Sequence, residues 1–105
     1  MSEAITASAA AQEEEFTAAI RYARLEDVIA EDASDASTAR ECFSAAKEYL
    51  AGAGIVSESD TAARYRLCVN ALTLHFYDHR DAIGDPEALP KSLRTLINQL
   101  KAPHL

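Results

Sequence analysis

Residues 60–82 read DTAARYRLCVNALTLHFYDHRDA. Leu67, Cys68, Val69, Ala71, Leu72, Leu74, His75, Phe76 and Tyr77 fall on more than one face of a helix drawn through them. A helix that is apolar on more than one side belongs inside a fold rather than on its surface. The segment is therefore expected to be the longest helix and the central one, the third in chain order, stopped by Gly84-Asp85-Pro86. Leu72 and Phe76, one turn apart, are its expected core residues.

The neighbouring segments carry the same periodicity more weakly. Upstream, Ala39, Phe43, Ala46 and Leu50 make one stripe with Cys42 and Tyr49 beside it, which predicts a second helix over 36–52 ended by Gly52-Ala53-Gly54. Thr38 and Glu41 have capping-box spacing, and Ser34 or Asp35 would serve as a cap one turn earlier. Phe16, Ile20, Tyr22, Leu25, Val28 and Ile29 recur at steps near three and four, predicting a first helix over 13–31 with Arg24 as its breaking point. The triplet Glu13-Glu14-Glu15 complements the positive end of that helix. Downstream, Pro90 opens a fourth helix over 90–101 whose stripe is Leu93, Leu96, Ile97 and Leu100. Residues 1–12, MSEAITASAAAQ, lack apolar periodicity and are expected to form a mobile tail. The expectation is an all-α, four-helix, bundle-like single domain over 13–105.

Composition narrows the class. The 105 residues include 22 alanines but only 3 Gly, 3 Pro and 3 Val, a balance that favours helix because Ala loses no side-chain freedom there and β-branched residues do. A formal charge of −7 argues against sequence-independent DNA binding, which draws its affinity from neutralising phosphates. The charge is also unevenly divided: residues 1–60 carry net −9 and residues 61–105 net +2. Two such halves allow the acidic part of one copy to face the basic part of another, a heterologous contact that generates rings or filaments; the plainer reading is two ordinary solvated faces. No apolar run approaches the ~20 residues of a membrane span, and Met1-Ser2-Glu3-Ala4 has no basic start of a secretory signal, so a cytosolic product is expected. In that compartment Cys42 and Cys68 are expected to be buried thiols rather than a disulfide.

Candidate chemistry is sparse. Cys68, His75 and His79 share one side of the third helix, and thiolate plus imidazole would suit zinc. Three ligands strung along one helix nevertheless span about 16 Å at 1.5 Å per residue, too far for one ion, and His75-Phe76-Tyr77-Asp78-His79 lacks the glutamate of a metalloprotease motif. Asp78, Asp81 and Asp85 read as a solvated helix end with Arg80 as a partner. The glycines are Gly52, Gly54 and Gly84, so no phosphate cradle or nucleophile elbow is encoded. Neither a catalytic residue, a cofactor nor a metal is expected.

The run Ala71-Leu72-Thr73-Leu74-His75-Phe76-Tyr77-Asp78-His79-Arg80-Asp81-Ala82, a short loop, and then Leu89-Pro90-Lys91-Ser92-Leu93-Arg94-Thr95-Leu96-Ile97 resembles the small head–tail connector, or head-completion adaptor, proteins of tailed bacteriophages and prophages. In that family an apolar helix ends in a Tyr-x-x-Arg-like signature and a proline opens a last helix with a Leu-Leu-type pair. Tyr77, Arg80, Pro90, Leu93, Leu96 and Ile97 stand at those places, and Ala39–Gly54 resembles the family's second helix. Near the start, Val28-Ile29-Ala30-Glu31 replaces the family's Leu-Arg-like pair. The resemblance implies a structural virion assembly protein, not an enzyme, made in the host cytoplasm and placed at the head–tail junction. Its implied partners are further copies of itself in a ring, the portal protein above, and a stopper or tail-completion protein below. DNA would pass through the lumen without sequence-specific binding, and no membrane is involved. Glu31, Asp32 and Asp35 on one side and Arg80 and Arg94 on the other are the expected interface charges. The alternative is a small acidic helical binding or regulatory module that docks on a basic partner.

Overall fold

The structure is a computed structural model that describes residues 2–56, 62–79 and 89–101. Among the described residues there are five helices: α1 (Ser2–Ala23), α2 (Glu26–Glu31), α3 (Ala33–Gly52), α4 (Ala62–Asp78) and α5 (Lys91–Lys101). The fold is all-α, as expected. α4 packs on α1, α3 and α5, while α3 also packs on α1 and α2. The molecule measures 45 × 39 × 19 Å, its short axis being about two helix diameters.

The expected first helix is two helices because Arg24 stops it. Arg24 adopts φ 58°, in the left-handed region. Its amide donates to the Arg21 carbonyl (3.1 Å) and the Leu25 amide to the Ile20 carbonyl (3.1 Å). This is the Schellman arrangement, completed by the apolar pair Ile20 and Leu25, both buried. The turn changes the register of the apolar stripe. Phe16, Ala19, Ile20 and Leu25 reach the core, whereas of the two others expected on the stripe Val28, beyond the turn, is 38% exposed, and Tyr22, before it and about 200° round α1 from Ile20, is 45% exposed.

α3 ends by the same device. The Gly54 amide bonds the Ala51 carbonyl (3.0 Å), the Ile55 amide bonds the Leu50 carbonyl (2.9 Å), and Gly54 takes φ 82°. The buried pair here is Leu50 and Ile55. At its other end α3 starts at Ala33, ahead of the expected range, because Asp32 caps it: the Ser34 amide donates to Asp32 Oδ1 at 2.8 Å. The Thr38 hydroxyl instead donates back to the Ser34 carbonyl.

Two further boundaries differ from expectation. α1 has helical backbone from Ser2 rather than from residue 13, because a stretch with five alanines and no Gly or Pro has high intrinsic helix propensity without any apolar stripe. α4 is described over 17 residues, its expected start at residue 60 lying outside the described residues. It ends at Asp78 rather than near residue 82. The Gly84-Asp85-Pro86 stop lies outside the described residues.

The core joins Phe16 and Ile20 of α1, the Ala39–Phe43–Ala46–Leu50 stripe of α3, Cys68, Val69, Leu72 and Phe76 of α4, and Leu93 and Ile97 of α5. Ala39 and Ala46 are fully buried, and such small side chains let helix axes approach closely. Phe16 and Phe43 meet edge to face with centroids 5.6 Å apart, as do Tyr49 and Phe76 at 6.2 Å. The buried Thr73 hydroxyl is satisfied by the Val69 carbonyl at 2.7 Å.

Candidate functional site

Three regions hold the polar chemistry of the molecule. The first is the bridge between α1 and α3. Arg40 binds the Glu13 carboxylate with two guanidinium nitrogens, at 2.6 and 3.1 Å, and lies 4.3 Å over the Phe16 ring. Its hydrogen bond holds the Glu13 carboxyl below the usual value. Lys47 pairs with Glu15 at 2.9 Å and lies over Phe43. Two of the three glutamates expected to serve the helix dipole thus reach across to another helix. The signal was Arg40 and Lys47, spaced seven apart beside the Phe43 stripe, but their partners are set only by how α1 crosses α3. Beside this bridge, Glu14, Glu15, Tyr65, Arg66, Val69 and Asn70 line a cleft of about 110 Å³ between α1 and α4.

The second region is the end of α4. Cys68 is fully buried, and burial pushes its thiol up to about 11; Cys42 is likewise buried, and neither cysteine forms a disulfide. His75 is 8% exposed, and among the described residues no hydrogen-bond partner meets its Nε2. His79 is exposed; its Nδ1 donates to the His75 carbonyl at 3.0 Å, and the two rings stack at 4.5 Å. Burial lowers the His75 pKa from 6.5, His79 lowers it further, and Asp78 raises it in part. The Cys68–His75–His79 set is therefore split between core and surface. Among the described residues no group of three or more side chains is placed to hold a metal ion.

The third region is the charged perimeter, where the expected interface residues fall. Glu31 ends α2 and is exposed; Asp32 is exposed but its carboxylate is engaged as the α3 cap; Asp35 is half-buried in the first turn of α3. Arg94 is exposed on α5. Arg80 lies outside the described residues. The six residues of α2 contain three acids and no base, whereas α5 contains Lys91, Arg94 and Lys101 and no acid. α2 packs on α3 and α5 on α4, so the two signs are carried by different helix pairs.

No family model, curated protein or solved structure matches the chain. Among the described residues no helix is long and apolar enough to cross a membrane.

Proposed function

We propose that the protein is a non-enzymatic assembly subunit that associates head to tail into a ring at the head–tail junction of a tailed-phage particle. In this reading the ring sits beneath the portal, docks a stopper or tail-completion protein, and lets DNA pass without binding it. The observation that carries the reading is the pair of oppositely charged helices, α2 with three acids packed on α3 and α5 with three bases packed on α4. A heterologous contact needs two different patches on each copy. The resemblance adds support, since Pro90 directly precedes α5, Leu93 and Ile97 are buried, and Leu96 packs against the core.

Exposed ion pairs contribute only about 0.2–1 kcal/mol each, so apolar contact dominates such an interface and the charges set register. Acidic side chains facing the lumen would repel phosphates and keep DNA mobile.

Size-exclusion chromatography with light scattering tests the proposal. A discrete species well above dimer mass, formed by the chain alone or on mixing with a portal protein, is the expected result. A chain that forms no such species under either condition, and instead binds basic proteins as a monomer, would be an acidic binding module.

A further inference from the structure

Among the described residues, α4 has a second apolar face that the core does not use. Its inner side carries Cys68, Val69, Leu72 and Phe76. On its outer side Ala63 is exposed, Leu67 is 46% exposed, and Asn70 and Leu74 are only half-buried. Leu74 lies outside the core cluster and its packed fringe. Ala63, Leu67, Asn70 and Leu74 step by four, three and four, the spacing of a helix–helix seam with a single polar residue in it. Leu67 and Leu74, seven apart, point within about 20° of one another.

The charges at the two ends of this seam run against the helix dipole. Arg64 is exposed near the N-terminal end of α4, and Asp78 is exposed as its last residue. A cation near the positive end and an anion at the negative end are both unfavourable within their own helix. Neither has an ion-pair partner among the described residues. Against an antiparallel helix both become favourable, because each charge then meets the opposite end of its neighbour.

We infer that the outer face of α4 is a self-complementary surface that takes the same face of a second copy, antiparallel, across a two-fold axis near residues 70 and 71. Leu67 then lies against the second copy's Leu74, and Arg64 beside its Asp78, twice over. The Leu67-to-Leu74 span is only about 10 Å at 1.5 Å per residue, so the contact is small and the dimer concentration-dependent. A two-fold contact closes on itself. It is therefore distinct from the head-to-tail ring contact proposed above and does not depend on it.

Sedimentation equilibrium on the full chain and on single reversals provides the test. Arg64→Asp leaves a chain acidic at both ends of the seam, and Asp78→Arg a chain basic at both ends. Each variant alone is expected to dimerise at least tenfold more weakly than the wild type, while an equimolar mixture forms a heterodimer at least as readily as the wild type dimerises. Leu67→Asp, at an exposed position, is expected to abolish dimerisation with the helical dichroism unchanged. Three results would each overturn the inference: a wild-type chain that stays free of dimer up to about 1 mM, the weakest association of interest here; a mixture of the two reversals that does not pair; or a Leu67→Asp chain that still dimerises. Loss of the larger ring species with this dimer retained would contradict the ring proposal alone.

Discussion

Leu67 and Leu72 stand five residues apart on α4, one 46% exposed and the other fully buried. Nothing in the two side chains distinguishes them. What separates them is the approach of α1, α3 and α5, which among the described residues cover the side of α4 that holds Leu72 rather than the side that holds Leu67. Apolar periodicity identifies a helix and its sides, but a helix with two apolar sides needs its neighbours in place before either side can be assigned to core or to contact.

The contrast is sharpest in stability. Phe76→Ala on the inner side should cost about 3–5 kcal/mol through lost transfer energy and a residual cavity, whereas Leu67→Ala on the outer side should stay within about 0.5 kcal/mol. Denaturant unfolding of the two variants checks this. Equal losses would mean that the outer side is also buried on folding.

The histidines repeat the comparison at the end of α4. His75 is buried with a lowered pKa, and His79 is exposed. Because the folded pKa of His75 lies below 6.5, the unfolded chain takes up this proton first as pH falls. Its contribution is therefore complete above about pH 6.5 and is lost as pH drops through that value towards the lower folded pKa. Stability should fall as pH drops through about 6.5, with less of a fall in His75→Phe; a His79→Phe variant with the same flattening would assign the effect to the wrong ring.

Smaller effects are expected at the two helix ends that share one hydrogen-bond pattern. Gly54 holds its left-handed φ without strain, so Gly54→Ala should destabilise by about 1 kcal/mol although open space surrounds the position. Arg24 holds the same conformation with a side chain, and Arg24→Gly should be stabilising by up to about 1 kcal/mol. Thermal melts of both variants suffice to see the opposite signs.

These two ends also explain what was legible in the sequence. Gly52-Ala53-Gly54 announced the end of α3 because glycine is the usual left-handed residue. Arg24 marked a break by disturbing the stripe, yet no side chain there signalled a Schellman turn, so the exposure of Val28 beyond it was hidden. The α3 stripe and the pair Leu72 and Phe76 were readable because each lies on a face with a clear period. The Asp32 cap was obscured by Ser34, Asp35 and Thr38, all competent caps within two turns. The ion pairs of Arg40 and Lys47 were not readable, because they join helices whose crossing no local pattern encodes. Of the candidate interface, Glu31 and Arg94 are exposed as the reading requires, while Asp32 is occupied by its cap.

The central claim is that opposite charges on separate helix pairs direct self-association. Light scattering on the Arg80→Glu/Arg94→Glu double variant beside the wild type tests it most directly. At low salt the variant should lose the large species while keeping wild-type helical dichroism, and the defect should shrink as salt screens the introduced repulsion. A double variant that assembles at low salt as well as the wild type would contradict the claim.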